Sequence, residues 1–268
     1  MSGPAEPVTR DPVIDGLVGR LRYCRSRPDE HLELESRVGQ FDSSLSFQAG
    51  FHDDHRNIIE SLQSALKQNT EKHQDRWQTQ PGGMLMHMFY HNNLRRTLLF
   101  STSPPQNVYI VKHKLGELNI HTDRPYHLRF SLKGETPADM TPGHSNGFHT
   151  AVERQAPQSV QIGSRHSFIE CVTSPVHGWQ VRFRYDLTKL TPPGRNKMEA
   201  MKHQCRWHCE IELVSPLAPL SDKGEERLQD QWIAKLWLAR SCVLLGTHYV
   251  NSEGAQCALP TPKLKVIH

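Results

Sequence analysis

The sequence predicts a mainly β chain with flanking helices (α+β class), closing into an antiparallel barrel. Three observations carry that reading. Several stretches between residues 94 and 214 alternate apolar and polar side chains with the period of a strand. Their polar sides are rich in charge, with acidic pairs on the first and last strands and basic groups on those between. Helical patterns flank the series at both ends and can cover its apolar side. Such a sheet can simply lie with its polar face in water. Closed on itself, it encloses a polar lumen, and about eight strands make one wide enough for a single small ligand.

Residues 1–12 are rich in proline and polar groups and read as a flexible N-terminal tail, leaving 13–268 as one domain. Residues 15–21 read as a short helix leading to the first acidic strand. There Glu33, Glu35 and Arg37 share one face, and Leu32 and Leu34 share the other. Asp53 and Asp54 then precede Ile58, Ile59, Leu62, Ala65 and Leu66, the spacing of an amphipathic helix with an acidic start. Strands are expected over 94–100, which carries Arg95 and Arg96, and over 108–115, with Ile110, Lys112 and Lys114 on one parity. Over 126–135, Arg129, Ser131, Lys133 and Glu135 oppose Leu128, Phe130 and Leu132. Residues 159–169 carry Arg165 and Ser167. The cleanest alternation is 179–190, where Trp179, Val181, Phe183, Tyr185 and Leu187 oppose Gln180, Arg182, Arg184, Asp186 and Thr188. In 205–214, Cys205, Trp207, Cys209, Ile211 and Leu213 oppose Arg206, His208, Glu210 and Glu212. A final helix over about 225–245 opens on Asp222-Lys223-Gly224-Glu225, the pattern of a capping box.

A net charge of +4 is too mild for general coating of nucleic acid, so an anion site must come from local clustering. Six cysteines in a chain of 268 residues make no disulfide scaffold, and reduced thiols are expected. The best apolar run, 236–246, is interrupted by Arg240 and too short to span a membrane, and the N-terminus has no signal-peptide pattern. A soluble intracellular protein is therefore expected. His203, Cys205, His208 and Cys209 invite a zinc site, but their spacing is wrong for a knuckle, and Cys205 and Cys209 share the apolar parity of Trp207. Core thiols are the better reading. Trp232, Leu236, Trp237 and Leu244 read as helix-packing residues, while His87, His91 and His121 receive no role.

A row of lysines and arginines in a low-dielectric lumen suits a polyanion such as triphosphate, because arginine grips phosphate oxygens bidentately. Carboxylates would repel that ligand unless a divalent cation preferring oxygen ligands lies between them. Phosphoryl transfer needs mostly positioning and charge neutralisation, and such a lumen supplies both.

On these residues the chain resembles the triphosphate tunnel metalloenzymes, in particular the metal-dependent RNA 5′-triphosphatases of fungal, protozoan and viral mRNA capping. Residues 31–37 are similar to that family's first-strand motif and Ile110-Val111-Lys112-His113-Lys114-Leu115-Gly116 to its basic strand. Residues 126–135 are similar to its Arg-x-Ser strand ending in Glu. Arg184-Tyr185-Asp186-Leu187-Thr188 resembles its Arg-x-Asp-x-Thr strand, and Glu210-Ile211-Glu212 its closing acidic strand. The five motifs keep their order over about residues 31–214.

The resemblance implies a tunnel of eight antiparallel strands that removes the γ-phosphate of triphosphate-ended RNA and leaves a diphosphate end. It also implies hydrolysis of free nucleoside triphosphates with Mg²⁺ or Mn²⁺. By position, Glu33, Glu35 and Glu212 would hold the metal, with Glu210 beside them. Arg37, Lys112, Lys114, Arg129, Arg165 and Arg184 would contact phosphates, Asp186 and Thr188 would orient them, and Glu135 would position or deprotonate water. A guanylyltransferase partner, a homodimer, and a nuclear or viral-factory location also follow from the resemblance. Departures are His208, where a third alternate glutamate is usual, and Gln161 and Gly163, where basic residues are usual. Two rivals stand beside this reading: a hydrolase of tripolyphosphate or another small triphosphate, and a non-catalytic RNA-end-binding capping subunit.

Overall fold

Alternate apolar positions decide which face of each strand turns toward the helices. In β1 (Leu32–Phe41), Leu34 and Val38 are buried on that face. Leu128, Phe130 and Leu132 do the same in β7 (His127–Pro137), and Val181, Phe183, Tyr185 and Leu187 in β9 (Gln180–Leu190). Cys209, Ile211 and Leu213 complete the set from β10 (Arg206–Leu213). These side chains form one core outside the barrel wall with α1 (Pro12–Arg25), α2 (Arg56–Lys72) and a long helix over Lys223–Leu244.

The computed structural model describes residues 11–28, 30–51, 56–79, 83–91, 94–101, 103–123, 125–137, 156–214, 220, 222–245, 248–250, 256–258 and 264–267. The remaining strands are β2 (Phe47–Ala49), β3 (Trp77–Thr79), β4 (Met84–His91), β5 (Leu94–Leu99), β6 (Gln106–Thr122) and β8 (Ser159–Thr173). Three short ones follow: β11 (His248–Val250), β12 (Gln256–Ala258) and β13 (Leu264–Ile267). The short helix Lys197–Met201 is α3, and Lys223–Leu244 is α4. Hydrogen bonding runs β10-β9-β8-β4-β5-β6-β7-β1, and β1 pairs again with β10. The result is a closed eight-stranded antiparallel barrel. β2 extends β1, β3 pairs with β8, β13 pairs with β6, and β11 pairs with β12.

Trp237 of α4 is fully buried and meets Phe130 edge-on, with ring centroids 4.9 Å apart. Ser36 of β1 and Ser241 of α4 share a hydrogen bond of 2.6 Å beneath that helix. Arg25 donates to Asp230 at 2.7 Å and ties α1 to α4. Glu170 is buried on the outer face, where it accepts from Tyr185 at 2.6 Å, from Arg240 Nε at 2.9 Å, and from Arg76. Leu244 is buried, and Trp232 and Leu236 pack partly against the same core. Cys209 is buried and Cys205 half-buried; the five described cysteines are unpaired, and Cys257 has no described side chain. Among the described residues no helix is long and apolar enough to cross a membrane.

Three expectations need correction. The first helix begins at Pro12, not residue 15, because Asp11 accepts from the Val13 amide at 2.9 Å and caps it. No strand is expected over Met84–His91, yet β4 forms there; Met84, Leu85, Met86, Met88 and Phe89 make both its faces apolar and hide the alternation. The capping box is only half formed. Asp222 accepts from the Gly224 and Glu225 amides at 2.7 and 3.3 Å, but the Glu225 carboxylate takes the Trp179 indole N–H at 3.0 Å instead of returning to the cap. Asp53, Asp54 and the tail through residue 10 lie outside the described residues. Replacing Asp222 by alanine should lower stability by about 1 kcal/mol, read as a shifted urea midpoint. An unmoved midpoint would mean that the cap contributes nothing.

Candidate active site

Because the apolar parity is spent on the helices, the opposite parity of each strand must face inward. Direct register then sets Glu35 opposite Glu212 and Arg37 opposite Glu210 across β1 and β10. On the other side of β1, Glu33 pairs with Lys133, Glu35 with Ser131 and Arg37 with Arg129. Glu210 lies opposite Asp186, Glu212 opposite Arg184, and Asp186 opposite Ser167. Lys112 of β6 stands opposite Glu135 of β7.

These side chains form a connected network. Arg37 grips Glu35 with two contacts, 2.9 Å from Nε and 3.0 Å from Nη2, and reaches Glu210 at 3.0 Å. Lys133 pairs with Glu35, Arg184 with Glu212, and Lys112 with Glu135 and, at 3.3 Å, with Glu33. Asp186 is buried and accepts from Ser167 at 2.5 Å and Arg184 Nε at 3.1 Å, with Arg165 Nη1 3.3 Å away. Thr188 accepts from Arg165 Nε at 3.2 Å. Asp186 and Thr188 thus aim two guanidinium groups. Arg129 donates to Asn119 at 2.9 Å and Glu117 at 3.2 Å. Lys114 is the most exposed of the set and turns to Glu117 at 2.8 Å, across a β-bulge between Lys114 and Gly116.

Burial and charge pull the carboxyls apart. Burial, with Glu33 and Asp186 nearby, pushes Glu212 up to about 8 despite Arg184. Burial also raises Glu35, against Arg37 and Lys133. Glu210 is half-buried, yet Arg37, Arg165, His208 and Lys133 hold it down at about 2 against that burial. Glu135 stays below the usual carboxylate range, because the Glu33 hydrogen bond and the Lys112 and Arg95 charges outweigh its burial. Burial lowers His208 to about 4, so its imidazole is neutral at pH 7.

The structure brings together Glu33, Glu35, Arg37, Lys112, Arg129, Glu135, Arg165, Arg184, Asp186, Thr188, Glu210 and Glu212, while Lys114 stays at the margin. The expected separation of an acidic wall from a basic one does not hold. β1 and β10 are neighbours, and Arg37 and Arg184 sit among their carboxylates, because buried charges of one sign are costly without a partner. Sequence reasoning gave no role to Lys133, Glu117 or Arg95, the last 4.0 Å from Glu135. Lys133 shares the parity of Arg129 and was legible there; the bulge breaks the parity that would have revealed Glu117. At the two departure positions on β8 the lumen turns apolar. Gly163 packs against Leu190 and lies opposite Met86, and Gln161 donates to the Thr191 carbonyl at 3.0 Å and lies opposite Met88.

Hard carboxylate oxygens are the donor type a Mg²⁺ or Mn²⁺ ion takes. Glu33 shares hydrogen bonds with both Glu135 and Glu212, a contact among carboxyls that needs a proton or a cation to persist. Among the described residues, no three His, Cys, Asp or Glu side chains are grouped as they stand to hold an ion, since Arg37, Lys133 and Arg184 occupy the carboxylates.

No family model matches the chain, and no curated protein does. Among solved structures it superposes on the S. pombe Pct1 RNA triphosphatase with a TM-score of 0.63 at 14% identity, over 89% of this chain and 94% of that one. A weaker likeness, TM-score 0.47 at 9% identity, is to the RNA triphosphatase domain of a trifunctional mimivirus mRNA capping enzyme, over 87% and 95% of the two chains. The Pct1 likeness establishes a shared fold, that of a tunnel-type barrel.

Proposed function

We propose that this protein is an RNA 5′-triphosphatase that hydrolyses the γ-phosphate of triphosphate-ended RNA, the first step of cap formation, and that it also hydrolyses nucleoside triphosphates. The observation that carries the reading is the lumen itself. Among the described residues, eight cationic groups (Arg37, Arg95, Lys112, Lys114, Arg129, Lys133, Arg165 and Arg184) are interleaved with seven carboxylates: Glu33, Glu35, Glu117, Glu135, Asp186, Glu210 and Glu212. A nearly neutral lumen binds a triphosphate poorly, and it becomes an anion trap once a divalent cation cancels part of the acidic set. The fold shared with Pct1, described as an RNA triphosphatase, supports the same substrate class.

Glu33, Glu35, Glu210 and Glu212 would hold Mg²⁺ or Mn²⁺, which supplies charge withdrawal from the terminal phosphate. Arg165 and Arg184, held by Asp186 and Thr188, grip its oxygens, and Arg129, Arg37 and Lys112 neutralise the rest of the chain of phosphates. Glu135, ionised at neutral pH, takes a proton from the attacking water. The new bond forms between that oxygen and the γ-phosphorus, the bridging bond to the β-phosphate breaks, and the RNA leaves as a diphosphate. A guanylyltransferase partner and a homodimer, in the nucleus or a viral factory, fit this role in capping.

Phosphate release from γ-labelled triphosphate RNA with Mg²⁺ or Mn²⁺ tests the proposal. It should appear with either ion, vanish with chelator and fall at least about 100-fold in Glu33→Ala. Undiminished release in Glu33→Ala would remove that carboxylate from the site.

A further inference from the structure

One mouth of the barrel is lined by rings instead of charges. β1 ends on Phe41, β7 begins with His127, and β6 ends one residue past His121. All three positions share the inward parity of Arg37, Arg129 and Asn119. The Phe41 and His121 rings stack 4.4 Å apart at 17°, and His121 and His127 stack 4.5 Å apart at 19°. Phe47 of β2 meets Phe41 edge-on at 5.3 Å. The Arg129 guanidinium lies 4.4 Å from the Phe47 ring centre, so the cluster is joined directly to the charged lumen. Phe47 can lean inward only because residue 39 is glycine: a Cβ there would stand 2.7 Å from its ring.

Core packing does not explain the cluster, since all four rings are partly exposed, while the outward-facing core lies on the opposite parity. Thr122 donates its amide to His127 Nδ1 at 3.2 Å, and burial with the neighbouring His121 lowers the imidazole below its ordinary range. A neutral imidazole in a stack of rings presents a flat π surface. Flat π surfaces beside phosphate-binding cations are how proteins hold single-stranded RNA without reading its sequence.

We infer that Phe41, Phe47, His121 and His127 form a stacking subsite for the first nucleosides of triphosphate-ended RNA. This rests on the proposed triphosphatase reading and adds a direction to it. The 5′ end enters through the β1–β2–β7 mouth, the phosphates pass inward to Arg129 and Arg37, and the leading base stays on the rings. Since every base has a π face, 5′-A and 5′-G ends should be handled alike.

The test compares phosphate release from 5′-triphosphate RNA with release from inorganic tripolyphosphate, which has no base to stack. Phe41→Ala and Phe47→Ala should each lower the RNA-to-tripolyphosphate ratio of kcat/KM by about tenfold, mostly through the KM for RNA. Phe41→Trp and Phe47→Trp should restore the ratio, and thermal unfolding separates a lost contact from a lost fold. If both substrates are hydrolysed and the alanine variants leave the ratio unchanged, the subsite is wrong and the triphosphatase reading stands. Hydrolysis of tripolyphosphate but not RNA by the unaltered protein overturns the subsite as well. Release from neither substrate removes the triphosphatase reading, and the subsite with it.

Discussion

Glu35→Gln should reduce phosphate release from triphosphate-ended RNA by at least about 100-fold while the barrel stays folded. Glu35 is 1% exposed, stands opposite Glu212 across the β1–β10 seam, and is held by Arg37 and Lys133. The amide keeps the shape and one carbonyl acceptor for those cations, so packing survives. What it loses is the charge, the property a divalent ion and two cationic neighbours all use. Glu35→Ala is expected to behave differently. Lys133 then loses the carboxylate it pairs with and Arg37 keeps only Glu210, a defect that costs about 3–5 kcal/mol in comparable buried pairs. Activity assays and urea unfolding on the two variants therefore separate chemistry from stability. Near-normal turnover in the folded glutamine variant would show that Glu35 takes no part in the reaction.

That separation was only partly visible in the bare chain, and the reason is physical. Alternation is legible where one face of a strand meets a helix-packed core and the other meets charge. This holds for β7, β9 and β10, whose outer residues Phe130, Phe183 and Ile211 are all fully buried under helices. It fails in β4, where Met86 and Met88 face the lumen and Leu85 and Phe89 face out, so a period of two disappears into continuous apolarity. Parity alone sets Glu33 with Glu35 and Glu210 with Glu212 on the polar face of their strands; that this face is a lumen depends on the sheet closing. Their partners did not, because pairing depends on which strands become neighbours. The β1–β10 seam joins residues about 175 apart in sequence, as in Ser36 and Ile211. The ring cluster at the mouth is hidden for the same reason, since Phe41, Phe47, His121 and His127 come from four strands and each is ordinary by itself.

Without divalent cation, stability should fall as pH rises from about 6.5 to 8, and Glu212→Gln should flatten that fall. Burial next to Glu33 and Asp186 raises the folded Glu212 carboxyl to about 8, against an ordinary value of 4.5. A group whose folded pKa is raised binds its proton more tightly in the native state. Its stabilisation is complete below the unfolded value and is lost as pH climbs through the folded one, with a slope approaching about 1.4 kcal/mol per pH unit. His208, lowered to about 4, works in the opposite sense, but its contribution levels off above its ordinary value of 6.5. Glu35, also raised by burial, adds to the fall and Lys133, lowered by burial, opposes it, so Glu212→Gln removes the Glu212 share of the slope. Glu210, held near 2, is ionised throughout and does not intervene. Mn²⁺ changes the balance, because a ligand carboxylate must give up its proton. At pH 7, titration with Mn²⁺ in buffers of different ionisation enthalpy should register release of up to one proton per ion, and saturating ion should abolish the pH slope. If the slope in Glu212→Gln matches that of the unaltered chain, the proton sits elsewhere, and Glu212 loses its place beside Glu33 as the group that a cation must displace a proton to reach.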